Sequence, residues 1–224
     1  MKVFQYIQYF FYLSWYWNPI LAAFIIYHEI RGENKYKLHT TGYDELRDLK
    51  KQDIDITHST MYMPASYNIL EILLKRLKEI PGNDCLLDIG CGKGRVLIVA
   101  AHMGFKNLIG VEISEKFCNN TKENIAAHKI EPGNTAFKVI HEDASSFIIP
   151  DEVTTVFLYN PFDAVVMRHV VEHINDSLQR KPRDLYIAYM NPQEKSLFSS
   201  AGFTEIFHHR KLNLLEGVIM KREV

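Results

Sequence analysis

Residues 86–101 read LLDIGCGKGRVLIVAA, with Asp88 two positions ahead of Gly90 and further glycines at Gly92 and Gly94. Glycine costs conformational entropy in a strand or a helix, so three at alternate positions mark a loop that turns sharply and lets a ligand approach the backbone. A dinucleotide loop requires G-x-G-x-x-G, but counted from Gly90 the sixth position is Arg95. The acid points the same way, because a carboxylate would repel a pyrophosphate over a helix N-terminus and attract an ammonium group. The chemistry called for is a ligand that carries a cation and no phosphate.

Such a loop needs strands and helices to aim it. The apolar runs CLLDI, NLIGVEI, AFKVIHED, TTVFLYN and DLYIAYMN alternate with helical patterns. One helix begins near Gly94, two more read SEKFCNNTKENIAAHK and DAVVMRHVVEHINDSLQ, and a short one ends at Gly202. Alternation of this kind predicts an α/β fold with a Rossmann-like, doubly wound, mostly parallel sheet. The turn after its first strand lies at the topological switch point, where ligands meet the carboxyl ends of the strands. FTEIFHHRKLN and LLEGVIMKRE follow with no helix between them, so the last strand is expected to enter antiparallel. Ahead of the first strand, PASYNILEILLKRLKEIPG reads as a helix with Pro64 at its start and Pro81-Gly82 as its stop. YDELRDLKKQDIDIT before it is a charged amphipathic stretch.

The chain has 224 residues, 47% of them hydrophobic, which is enough for one sizeable core with something left over. Its formal net charge of −1 lacks the basic excess expected of a protein whose main partner is duplex nucleic acid. The three cysteines, Cys85, Cys91 and Cys118, have no metal-like spacing and suit a reducing compartment, the cytoplasm. The leftover is the N-terminus, VFQYIQYFFYLSWYWNPILAAFIIY, which Gln5, Gln8, Ser14 and Asn18 interrupt and Pro19 breaks near its middle. Two shorter helices fit better than one span, and no cleavage site follows that would make this a signal peptide. The Trp/Tyr density suits docking on the domain or a partner, or lying at the inner face of a membrane, and less well a true span. Residues 1–36 are thus a hydrophobic helical extension ahead of a domain at 37–224, and residues 1–30 read as an attachment device separable from ligand binding.

The D-x-G-x-G-x-G stretch resembles motif I of the class I S-adenosylmethionine-dependent methyltransferases, and the resemblance extends over roughly residues 57–222. It implies a seven-stranded sheet of order 3-2-1-4-5-7-6 and S-adenosylmethionine as cofactor. It also implies that Asp88 contacts the methionine part while Gly90, Gly92 and Gly94 pack beneath it. Glu112 ends the next strand about 20 residues on, where a carboxylate can accept both ribose hydroxyls. Asp143 and Ala144, after the third strand, match the family's acid–small pair at the adenine. The bland alternatives are that Asp88 caps a helix and Glu112 is a loop acid.

Asn160-Pro161-Phe162 looks like a shortened Asn/Asp-Pro-Pro-aromatic motif of the family's amino-methylating members, with one proline missing. The resemblance implies that Asn160 accepts hydrogen bonds from a target nitrogen while Pro161 and Phe162 hold the substrate; otherwise Asn-Pro only ends a strand. HSTMYMPAS is similar to a small group of often membrane-anchored lysine methyltransferases, and the YMP, DIGCGKGR and NPFD blocks to poorly characterised bacterial methyltransferase-domain proteins. Tyr62 in that stretch could close over a sulfonium with its ring face. HVVEH at His169–His173 matches a zinc-peptidase pattern, yet it falls in an outer helix with no third ligand downstream, so no metal is expected. The reading is a methyltransferase acting on an amine or amide, a protein lysine among the candidates, with an unidentified acceptor. The alternatives are a non-catalytic cofactor-binding regulator or scaffold at a membrane and, with less support, an aminopropyl transferase, which lacks the acidic pocket polyamines need.

Overall fold

The computed structural model describes residues 2–42, 63–128, 135–159 and 162–223. Five strand-forming runs become parallel strands: β1 (Cys85–Ile89), β2 (Asn107–Glu112), β3 (Ala136–His141), β4 (Thr155–Tyr159) and β5 (Leu185–Met190). Every residue of β1 and β5 is buried, as expected of strands covered on both faces, whereas β3 at one edge is only partly covered. β6 (Thr204–Lys211) and β7 (Leu215–Arg222) form a closing hairpin, and β7 runs antiparallel between β5 and β6. The sheet has seven strands in the order β3-β2-β1-β4-β5-β7-β6, the order and the antiparallel last strand that the sequence led us to expect.

Helices cover both faces. On one side α3 (Tyr67–Lys78) buries Leu70, Leu73, Leu74 and Leu77 completely, beside α4 (Arg95–His102) and the even-numbered side chains of β1. Removing four leucines from water contributes roughly 1.5–3 kcal/mol each, which makes α3 a principal buttress of that face. α3 begins at Tyr67, three residues beyond Pro64, because the Ala65 carbonyl is taken by the Arg95 guanidinium (2.7 Å) rather than by a helical turn. On the other side α6 (Ala164–Arg180) and α7 (Lys195–Ser200) pack against Leu87, Ile89, Val156 and Ile187. α5 (Glu115–Ala127) follows β2 and is capped by the Ser114 hydroxyl, which accepts from Phe117 N–H.

The N-terminal segment forms the two expected helices, α1 (Lys2–Tyr16) and α2 (Pro19–Tyr36). Pro19 starts α2 as well as ending α1, since its missing N–H costs nothing in a first turn and Asn18 Oδ1 accepts from Leu21 N–H at 2.8 Å. Among the described residues no helix is long and apolar enough to cross a membrane. α2 lies on the domain: Gly32 faces the Tyr67 ring so closely that a Cβ would sit 2.2 Å from it, and Tyr36 stacks on the same ring. Glu29 of α2 ion-pairs with Arg95 inside the protein, and Glu33 accepts from the backbone of Thr40 and Thr41. Residues 1–30 therefore include a charge, Glu29, buried against Arg95 of the domain. The charged stretch at 43–57 lies outside the described residues, as do Tyr62, Asn160 and Pro161.

Candidate functional site

The carboxyl ends of β1, β2 and β3 lie side by side, and each supplies one of the expected landmarks. After β1 the chain turns through Gly90, Gly92 and Gly94 at φ +79, +54 and +79, a left-handed path that costs side-chain-bearing residues energy. Gly94 is doubly required, because a Cβ there would meet Thr121 Cγ2 at 2.7 Å. The loop is fastened at every step. Gly90 and Cys91 N–H both donate to the Val111 carbonyl, Gly92 N–H donates to Glu112 Oε2 (2.9 Å), and Thr121 Oγ1 donates to the Gly92 carbonyl (2.8 Å). Asn124 Nδ2 holds the Lys93 carbonyl at 2.9 Å. The backbone path is thus set by the fold and needs no ligand to form it.

Asp88 is 3% exposed, and its Oδ2 has no hydrogen-bond partner. Burial first, and the Glu112 carboxylate second, push its acid well above the ordinary carboxylate range. Glu112 is also pushed up by burial, although N–H groups of Ser114 and Gly92 donate to its two oxygens and oppose the shift. Two buried acids that repel each other, one of them with an unused oxygen, are costly in isolation and suit a bound cation. Asp88 is on a strand rather than at a helix start and caps nothing. Its unpartnered oxygen suits S-adenosylmethionine, since that molecule brings an ammonium and a sulfonium and no phosphate.

Beyond β3, Asp143 is exposed and its Oδ1 accepts from Ser145 N–H at 2.7 Å, while Ala144 is buried in the core beneath. The Ser145 carbonyl is held by His173 Nε2 (2.9 Å), and Glu142 N–H donates to the Glu112 carbonyl, so this turn is moored to α6 and to β2. His173 thus holds a loop, whereas His169, one turn away, pairs with exposed Glu172 at 3.3 Å. β4 ends at Tyr159, which packs on the core of the α3 side, and Phe162 packs half-buried on the opposite core. Asp163 then caps α6 through Val165 N–H. Asn160 and Pro161 lie outside the described residues.

Sequence reasoning missed the braces of this site. Thr121 and Asn124 reach it from α5, and Arg95 from α4 donates to Glu29 (2.6 and 2.7 Å), Thr40 (2.8 Å) and the Ala65 carbonyl (2.7 Å) while its guanidinium lies over the Tyr67 ring. The only local signal for Arg95 was its departure from a glycine pattern. Cys85, Cys91 and Cys118 are all free and buried, and burial pushes the Cys85 and Cys118 thiols up to about 11.

A family model described as a methyltransferase domain matches residues 62–199. A ribosomal protein L11 methyltransferase of Aquifex aeolicus is 35% identical over 68 residues, covering 30% of this chain and 26% of that protein. A Methanocaldococcus jannaschii protein, provisionally named a protein N5-glutamine methyltransferase, is 36% identical over 73 residues, covering 33% and 36%. The chain therefore spans about a quarter to a third of the length of these curated relatives. Among solved structures, a ribosomal protein L11 methylase from Lactobacillus delbrueckii subsp. bulgaricus superposes with a TM-score of 0.53 at 15% identity, covering 70% of this chain and 78% of that one, a likeness of fold.

Proposed function

The chain belongs to the methyltransferase-domain family, of the class I S-adenosylmethionine-dependent kind, and from that premise we propose that it methylates a nitrogen of an amine or amide acceptor. The observation that carries the cofactor half of this reading is the buried, unpartnered Oδ2 of Asp88 beside Glu112. Asp88 would hold the ammonium side of S-adenosylmethionine and Glu112 the ribose hydroxyls, through lone pairs that Gly92 and Ser114 leave free. Asp143 and Ala144 would flank the adenine. When bound, the cofactor supplies a methyl group on a cationic sulfonium, open to in-line displacement by a nitrogen lone pair.

What remains for the protein is positioning and exclusion of water. Asn160, which follows Tyr159 in sequence, would accept hydrogen bonds from the acceptor nitrogen and turn its lone pair toward the methyl group. Phe162 and Pro161 would bound the acceptor side, and Tyr62 would lie over the sulfonium with its ring face. An amine of lysine type must first lose a proton, since an ammonium has no lone pair to offer. An amide acceptor avoids that step but needs its lone pair twisted out of conjugation, which hydrogen bonds to Asn160 favour. The name of the Methanocaldococcus relative supports an amide or amine nitrogen, and those of the Aquifex and Methanocaldococcus relatives support a protein acceptor.

Incubating the purified chain with lysate and methyl-labelled S-adenosylmethionine, then separating protein, RNA and small molecules, tests the reading. Label in the protein fraction that survives mild base, as an N-methyl amine or N-methyl amide does and a methyl ester does not, is the expected result. Tight cofactor binding with no labelled product in any fraction would favour a non-catalytic binder instead.

A further inference from the structure

Both tryptophans of the chain, Trp15 and Trp17, sit where α1 turns into α2, and Trp15 is 86% exposed. Phe4, Ile7, Phe11 and Trp15 are exposed at helical spacing along α1, a stripe about 16 Å long at 1.5 Å per residue. On its other side Tyr9 and Leu13 are buried against Leu21, Ala22 and Ile25 of α2. Large apolar side chains in such a row are normally covered, yet among the described residues this row of α1 stands exposed beside Gln5 and Gln8.

A second element joins it. At the β6–β7 turn Leu212 and Asn213 take left-handed conformations (φ +50 and +58), and Leu212 and Leu214 stand exposed. Leu215, next in line, packs on the Tyr9–Leu13–Leu21–Ile25 cluster, and Lys211 Nζ lies 6.0 Å from the Phe24 ring centre. The β turn thus meets the helical hairpin at Leu215 and Lys211, although nearly the whole chain separates them in sequence.

We propose that this face docks on the headgroup region of an anionic lipid bilayer. In that position Trp15, Trp17, Ile20, Leu212 and Leu214 enter the interface while Arg210 and Lys211 meet the anionic headgroups. Two observations choose this occupant. Tryptophan and tyrosine rings gather where one edge is apolar and the other wet, which is the setting of a membrane interface. Charge favours anionic lipid: Val3–Tyr27 holds no charged residue, and Arg210 and Lys211 stand at the margin, where long stems reach headgroups, while Glu216 opposite Arg210 lies 3.0 Å from His208. The inference rests on this surface alone and is independent of the acceptor nitrogen.

The test uses the full chain and its own tryptophans as reporters. With vesicles of phosphatidylcholine mixed with phosphatidylglycerol, emission should shift to the blue and be quenched by brominated acyl chains, and binding should be about tenfold weaker on phosphatidylcholine alone. Leu212→Ser with Leu214→Ser should weaken vesicle binding at least about tenfold while S-adenosylmethionine affinity, measured by calorimetry, reports an intact fold. Trp15→Ser should do the same and leaves Trp17 as the reporter. Unshifted, unquenched emission with anionic vesicles from a monomeric protein overturns the proposal. So does a dimer in sedimentation velocity that Trp15→Ser dissociates, if vesicles still fail to bind, since the face would then belong to a second copy.

Discussion

Arg95 and Glu29 meet at 2.6 Å with their side chains 3% and 1% exposed, and the pair ties the helix that follows the glycine loop to the N-terminal helix α2. Arg95 Nη1 and Nη2 both face the Glu29 carboxylate, and the same guanidinium takes Thr40 and the Ala65 carbonyl, so its donors are well satisfied. A forked guanidinium satisfied in this way can remain charged in a place that would expel a lone ion.

Removing one partner leaves the other charge buried and alone. Glu29→Ala and Arg95→Ala should each cost about 3–5 kcal/mol in urea unfolding, against a total that for ordinary domains is about 5–15 kcal/mol. Glu29→Leu combined with Arg95→Met, apolar on both sides, should recover much of that loss. Deleting residues 1–30 should act like Glu29→Ala and add the loss of the Leu21 and Ile25 contacts. A truncated chain with an unchanged unfolding midpoint would show that the pair contributes nothing.

The cofactor pair predicts a different pattern. Asp88→Ala and Glu112→Ala should each weaken S-adenosylmethionine binding by about 1.5–3 kcal/mol, the size of one or two charge-assisted hydrogen bonds, with no gain of NAD binding. Glu112→Ala should also loosen the loop, because Gly92 N–H loses its acceptor. Calorimetry that finds tight NAD binding and no S-adenosylmethionine binding would overturn the assignment.

The same acids set a pH dependence whose sign follows from their weakened acidity in the folded chain. In the unfolded chain Asp88 ionises near 3.8, whereas in the folded chain burial holds the proton to much higher pH. Between those limits the folded state binds more protons, so the stability of the cofactor-free protein falls as pH rises. A cation at Asp88 favours the ionised form, so S-adenosylmethionine affinity should rise with pH across the same window and binding should release a proton. Calorimetry in two buffers of different ionisation enthalpy reads that proton directly. Asp88→Asn should abolish the release and flatten the stability slope; a release that persists in Asp88→Asn must come from elsewhere.

How much of this was legible before any coordinates depends on whether a residue's partner is near it in sequence. Parallel strands and an antiparallel last one follow from alternating runs and an unbroken final pair, their order from the family resemblance, and the Asp88–Gly94 loop from residues within a few positions of one another. Arg95 could be read only as a non-glycine, because Glu29 is 66 positions away and nothing around either residue marks the pair. Thr121 and Asn124 sit 29 and 31 positions from the carbonyls they hold, on a helix whose face pattern is set by Phe117 and Cys118. The aromatic N-terminus stayed ambiguous for a physical reason: rings suit both dry and half-wet places, and α1 uses Tyr9 and Leu13 for the first while leaving Trp15 for the second.

The acceptor assignment rests on Asn160, and one substitution series separates an enzyme from a silent binder. If Asn160 accepts hydrogen bonds from the attacking nitrogen, Asn160→Ala should leave S-adenosylmethionine affinity within about twofold while turnover falls by about 10²–10³, the loss expected for one positioning group. Asn160→Asp should keep more activity than Ala, because its carboxylate still accepts from the nitrogen. Phe162→Ala should raise KM for the acceptor more than for the cofactor, although the ring's half-burial on the core predicts some loss of stability as well, which a thermal midpoint would report. The comparison is made on the acceptor found in the labelling experiment. Turnover unchanged in Asn160→Ala would reduce Asn160-Pro161-Phe162 to a strand-ending turn and remove the nitrogen assignment, while the Asp88 and Glu112 predictions stand or fall on their own calorimetry.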